Sequence, residues 1–386
     1  MRAAKDQISL WTTGIKVKVR NELEESAASK WIVAQLPVSF PVSQLEVSPG
    51  HSSDGSYVHF HVRNDFSAVL TPDNDTGKLA AQLHLDPENC DQDLEQEILL
   101  AILLCPVVIE FPSLQELIST IRIRAAIVQA ARRASLAFAT YEAERPADYW
   151  HYDEDRGFVL LPGKSLISAL EKATNSGDAD KQYTFSCRRA SEYLVLLGLA
   201  REARNSNAVL YRALHQQAET RALKGREFEQ VFVRTIGSSS EPLPIRYFIP
   251  GDRTWFRNID PASAEVTGYE GSWTFYLGSG KFADFWRRDR VFTLETKLAC
   301  IYHWRNALIR DAAGELQIDE NKVDELIDET CRTPKALEDV LHETLRLQSP
   351  LGTSGGGCIE PHRERPCLIC PETTEVVLPD CELARE

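Results

Sequence analysis

The sequence predicts an α+β fold, and three observations carry that reading. Apolar-periodic helical runs dominate from Asp91 onward. Short strand-like runs come in pairs around glycine-containing turns. A cysteine, Cys187, directly precedes a strong helical run from Arg188 to Arg204. The first turn of a helix carries unpaired backbone N–H groups and a positive dipole end, which favour thiolate over thiol. A cysteine so placed is a candidate nucleophile.

Taken in order, Trp31-Ile32-Val33-Ala34 and Tyr57–Val62 read as short strands separated by a Ser/Gly/Asp-rich loop, Ser48–Ser56. Pro72-Asp73-Asn74-Asp75-Thr76-Gly77 is a turn. Asp93–Cys105 is a helix that stops before Pro106. Ser113-Leu114-Gln115-Glu116 fits a capping box opening a long helix through Ala130 and on toward Ala139. Tyr149–Leu161 reads as a hairpin, and Ser165–Ala173 as a short helix before the Cys187 helix. Val209–Leu223 is helical and Pro244–Ile249 strand-like. Trp273–Leu277 and Phe282–Trp286 flank Gly278-Ser279-Gly280-Lys281 as strand, turn and strand. Leu294–Ile309, Glu320–Thr330 and Pro334–Leu347 are helices, the last two acidic. The middle of the chain therefore runs from a helix headed by cysteine into antiparallel strands, the order of papain-like cysteine folds.

The bulk properties narrow the function classes. The 386 residues suffice for one large domain or two modest ones, and the 43% hydrophobic content is ordinary for a soluble protein. A net charge of −14 argues against a nucleic-acid-binding surface. No run of apolar residues is long enough to span a bilayer, and the N-terminus lacks the apolar core of a signal peptide, so a cytoplasmic location and no membrane partner are expected. The nine cysteines are odd in number and irregularly spaced, against a secreted disulfide scaffold.

From about Glu88 to Arg310 the chain resembles the spore-coat type of bacterial protein-glutamine gamma-glutamyltransferases, the transglutaminases, and related amide-forming enzymes. The residues that carry this resemblance are Pro112-Ser113-Leu114-Gln115-Glu116-Leu117, Arg124-Ala125-Ala126-Ile127-Val128, Phe138-Ala139-Thr140, Tyr149-Trp150 and Phe185-Ser186-Cys187. They continue in Pro250-Gly251-Asp252, Trp255-Phe256-Arg257-Asn258, Gly271, Tyr276-Leu277-Gly278 and Lys281-Phe282-Ala283. The resemblance implies a papain-like core of the NlpC/P60 kind, helices packed on an antiparallel sheet, and acyl transfer through a cysteine thioester. It implies protein glutamine and lysine side chains, or a small acyl and amine pair, as substrates. The family's chemistry needs no metal, so no cofactor is expected.

In the family motif the cysteine stands in Phe-Glu-Cys, a glutamate in Gly-Glu-Asn and a histidine in Phe-Ala-His-Gly. Carried over by position, the nucleophile falls on Cys187, the glutamate position on Ser272 and the histidine position on Asp284. Three readings follow. One is an acyltransferase with Cys187 as nucleophile, Asp284 in the base position and Ser272 beside it. The second is a catalytically inactive binding module on the same fold, and the third a biosynthetic amide synthase or cyclase.

Around this set, Trp255, Trp273, Tyr276 and Trp286 are the expected substrate-binding wall, excluding water from a thioester; ordinary core packing is the plainer reading of the same aromatics. Glu270 would share a strand face with Ser272, although a solvated charge is the simpler reading. A substitute histidine would come from His303, His151 or His215, each more simply a structural residue. His59 and His61 share a strand face at a spacing that suits a metal, but no third ligand is evident. Cys358, His362, Cys367, Cys370 and Cys381 contain a CxxC flanked by Cys and His, which can hold zinc; the strong form has two tight pairs and this has one, so a tail with incidental thiols is the plainer reading and no metal is assigned. The expected organisation is a β-rich extension over 1–87, the core over 88–310, an acidic helical extension over 311–348 and an irregular Cys-rich tail over 349–386.

Overall fold

The computed structural model describes residues 13–139, 143–178, 181–283, 285, 290–349 and 356–379. It is an α+β fold whose papain-like core sets the Cys187 helix against an antiparallel sheet. That helix, Cys187–Ser206, buries Ala190, Leu194, Leu197, Ala200 and Ala203 and also Glu192, Tyr193 and Val195, so it is covered nearly all round, as a central helix should be. The helix Leu114–Arg133 lies along it, and the strand Gly271–Gly278 packs against both.

The sheet beside these helices runs in the order Arg253–Arg257, Gly271–Gly278, Lys281–Phe282, Phe292–Thr293, with each neighbouring pair antiparallel. Trp255 pairs with Trp273 and Phe256 with Ser272. Side chains alternate between sheet faces. Trp273 and Ser272 therefore face opposite ways, which decides where each meets the site.

A four-stranded sheet forms near the N-terminus, ordered Leu45–Ser52, Gly55–Val62, Ile15–Val19, Ile109–Phe111. Its strand Ile109–Phe111 comes from beyond residue 87. Ile15, Val17 and Val19 are buried at the period of two that a half-covered strand requires.

Several local expectations are corrected. Trp31–Ala34 lies in a helix, Glu22–Gln35, because Asn21 caps it by accepting from the Glu24 N–H and Ala28 and Ile32 form an i,i+4 buried stripe. Ser48–Ser52 is strand rather than loop, since it pairs residue for residue with Gly55–His59. Pro244–Ile249 is not a strand: the Tyr247 N–H turns back to the Pro244 carbonyl, and Thr76 takes both backbone groups of Phe248. Among the described residues of Phe282–Trp286, Phe282 is paired as strand, and Lys281 of the turn pairs with Gly278; Asp284 and Trp286 lie outside the described residues. The long helix ends at Arg133, and Leu136–Phe138 then forms a strand.

The tail packs into the molecule. Arg363–Pro366 pairs antiparallel with Val233–Ile236. Cys367, Leu368, Ile369, Val376 and Leu378 enter the main core, and Cys358 and Ile359 enter a second core formed with the Leu294–His303 helix and the acidic helices. Half of the expected capping box is present: Ser113 Oγ accepts from the Glu116 N–H. The Glu116 carboxylate reaches instead to the tail, accepting from the N–H groups of Ile369 (3.3 Å) and Cys370 (2.9 Å).

Candidate active site

Cys187 is the first residue of its helix, and Ser186 is the N-cap, its Oγ accepting from the Arg189 N–H at 3.3 Å. The strand Tyr183–Phe185 leads into this turn and pairs in parallel with Leu136–Phe138, bringing Phe138 level with Phe185. Two cavities meet at this point, with Cys187, Phe138 and Gly268 in the walls of both.

The wider cavity measures about 810 Å³. Trp255 and Trp273 form its aromatic side, their ring centroids 5.2 Å apart. The Arg253 guanidinium lies 3.7 Å from the Trp273 ring centroid and is held by Ser191 Oγ at 2.8 Å and Glu364 at 2.9 Å. Such stacking on a buried cation fixes the indole. Gly271 makes room for Trp255, since a Cβ there would come within 2.4 Å of the Trp255 ring. Gly268 does the same for Phe138, whose ring would lie 2.3 Å from an added Cβ, at a φ of +89°.

The narrower cavity, about 200 Å³, is lined by Ser272, Tyr269, Gly271, Lys297, Cys300, Trp304 and Glu320 besides the shared residues. Ser272 and Lys297 are buried in it. The structure thus brings Ser272 to one side of Cys187 and Trp255 and Trp273 to the other. Glu270, an exposed residue, lines the wide cavity, while Ser272 two positions along lines the narrow one.

Tyr276 is not in either wall. It is fully buried among Phe248 and Phe282, and its hydroxyl accepts from the Gly280 N–H at 3.0 Å. This corrects its assignment as a substrate contact: it sits at the far end of the strand, where the hairpin turns. Asp284 and Trp286 lie outside the described residues.

The histidines considered as substitutes line neither cavity. His303 bonds Thr330 Oγ1 at 2.7 Å, His215 bonds the Lys164 carbonyl at 2.8 Å, and His151 is exposed on a hairpin. His59 bonds the Thr13 carbonyl and His61 lies 3.0 Å from Glu46. Cys358 and Cys367 lie in different cores, and Cys367 Sγ donates to the Val231 carbonyl, so these two do not converge on one point; Cys381 lies outside the described residues. Among the described residues no group of three His, Cys, Asp or Glu side chains is placed to hold a metal. No helix among them is long and apolar enough to cross a membrane.

Sequence reasoning missed the tail's contribution. Glu360, His362 and Glu364 all line the wide cavity. Glu360 Oε2 accepts from the Trp255 N–H at 3.3 Å, and Glu360 Oε1 lies 3.9 Å from His362 Nε2. Burial pushes the Glu360 carboxyl up to about 7, and Glu364 adds to that rise. Burial lowers His362 from its ordinary value, with Arg363 acting in the same direction. The one available signal was the alternation of Glu360, His362 and Glu364, which places them on one side of an extended segment.

A family model described as protein-glutamine gamma-glutamyltransferase matches residues 76–293, more than half of the chain. Among solved structures, the chain is similar to a transglutaminase from Geobacillus stearothermophilus without its C-terminal extension. The two are 20% identical, the match covers 56% of this chain and 98% of that one, and the TM-score is 0.38. No curated protein matches the chain.

Proposed function

Since the chain belongs to the protein-glutamine gamma-glutamyltransferase family, we propose that it is an acyltransferase with Cys187 as nucleophile. The observation that carries this is the place of Cys187, first in its helix and shared by two cavities. Helix N-terminal N–H groups favour negative charge on a nearby sulfur. Two cavities give separate approaches for the acyl donor and the amine.

In this reading the Cys187 sulfur attacks a carboxamide carbon, the carbon–nitrogen bond breaks and ammonia leaves. An amine then attacks the thioester, the carbon–sulfur bond breaks and an amide is formed. Protein glutamine and lysine side chains, or a small acyl and amine pair, are the substrates. Asp284 is assigned to the proton-transfer position from the sequence, where it follows Phe282-Ala283, and Ser272 offers its hydroxyl in the narrow cavity. The indoles of Trp255 and Trp273 limit access of water to the thioester.

Iodoacetamide labelling against pH tests the nucleophile. Burial pushes Cys105 up to about 11 and Cys358, Cys367 and Cys370 up to about 12, so these thiols stay silent near neutral pH. A Cys187→Ala variant subtracts the signal of accessible thiols such as Cys331. Cys187 is expected to label faster than an ordinary thiol of pKa about 8.5. Incorporation of an amine into a glutamine peptide is expected to fall to background in the same variant. Undiminished incorporation would remove Cys187 from the mechanism. A reactive Cys187 without incorporation would favour the biosynthetic amide synthase or cyclase.

A further inference from the structure

We propose that the C-terminal tail completes the active site, with Glu360 as the base that takes the proton from the incoming amine. The inference rests on the reading of Cys187 as nucleophile and adds a residue from outside the matched span of 76–293.

Three features of the structure support it. Glu360 and Cys187 line the same cavity, which opens both side chains to one shared space. The segment is also firmly held. Buried Arg363 donates to the carbonyls of Tyr247, Glu360, His362, Pro244 and Ile245, and Arg363–Pro366 is paired as a strand. A general base must be held in position to work, and this one is. The third feature is the charge around it. Arg253 is taken up by Glu364 and Ser191, and Arg188 by Glu229 at 2.8 Å. Arg226, Arg234 and Glu270 complete the charged lining. Among the described residues, the ionisable partner within 4.0 Å of Glu360 is His362. A carboxylate beside two indoles, Trp255 and Trp273, suits an alkylammonium, which is attracted by both the charge and the ring faces.

The step balances without a co-reactant. The ammonium first releases a proton to solvent, and the neutral amine nitrogen then bonds to the thioester carbon while the carbon–Sγ bond breaks. One N–H proton passes to the Glu360 carboxylate and from there to the departing Cys187 thiolate, restoring the thiol. Burial sets the Glu360 carboxyl at about 7, so the base form accumulates as pH rises through that value and amine transfer rises with it.

The test separates the two half-reactions. With p-nitrophenyl acetate as donor, the nitrophenolate burst reads acylation of Cys187, which needs little help from a base because the leaving group is good. Acetyl transfer to cadaverine reads the second half. Glu360→Gln is expected to keep the burst, lower transfer about 100-fold and lose the rise near neutral pH. Glu360→Asp keeps a carboxylate and is expected to keep the pH-dependent rise at a reduced rate. Transfer and pH profile unchanged in Glu360→Gln would overturn the proposal. So would an equal loss of burst and transfer, which would make Glu360 structural. A wild-type burst that survives Cys187→Ala is a different failure: it removes the nucleophile itself, and the assignment of Glu360 with it.

Discussion

At the scale of residues, the site depends on atoms that are absent as much as on those present. The space for Trp255 exists because residue 271 has no Cβ. In Gly271→Ala the new carbon would lie 2.4 Å from the Trp255 ring and 2.5 Å from the Phe256 carbonyl oxygen. The second contact is backbone within a strand pair, so the ring must turn away and the strand pair must also shift. Overpacking of this kind costs about 1–3 kcal/mol. Gly271→Ala is therefore expected to lower the urea midpoint and to raise KM for the substrate that fills the wide cavity. A raised KM with little change in kcat would match a displaced indole. An unchanged KM would mean that Trp255 does not touch substrate.

At the scale of elements, the Cys187 helix and the hairpin around Gly278-Ser279-Gly280 were legible in the sequence, because helical periodicity and glycine turns are local signals. Trp31–Ala34 was misread as strand because its four apolar residues carry no period. The Asn21 cap and the Ala28/Ile32 stripe identify the helix only over a longer window. Pro244–Ile249 looked like strand by composition, but its polar backbone groups are met by Thr76 and Arg363, far away in the chain. The hairpin also has a distant anchor. Glu97, buried on the helix Asp91–Leu103, accepts from the Ser279 N–H at 2.8 Å. Burial raises its carboxyl from 4.5 to about 7. A folded value above the unfolded one means that the native state binds the extra proton. The stability it contributes is full below about pH 4.5 and is lost as pH rises through about 7. The loss is on the order of 3 kcal/mol. Glu97→Gln keeps the acceptor for Ser279 but cannot ionise. It is expected to be more stable than the parent at pH 8 and to show no such gain at pH 5, in urea unfolding at both values. A gain of the same size at both pH values would show that ionisation of Glu97 is not the cause.

At the scale of the whole molecule, the tail joins the two cores and the site. Its role was illegible in the sequence because every contact is non-local: Glu116 with Ile369 and Cys370, Arg363 with residues 244–247, Glu360 with Trp255. Zinc was one reading of the cysteines in this segment, whereas in the fold Cys358 and Cys367 fill core volume and Glu360, His362 and Glu364 between them face the cavity. Arg363 is the point at which this arrangement is most exposed to test. Burial draws its guanidinium down to about 10, and the five carbonyls it serves offset that cost. Arg363→Met fills much of the volume but leaves those carbonyls without their donor. Leaving a buried carbonyl without its donor costs about 1–3 kcal/mol. Because Arg363 holds the main chain at both Glu360 and His362, loss of the guanidinium should also loosen the cavity wall. The expected outcome is a lowered urea midpoint, together with faster proteolysis within 356–366 under native conditions and reduced amine transfer. If the midpoint falls while proteolysis and transfer stay at parental levels, the tail is held by its apolar residues alone and Arg363 does not position the site.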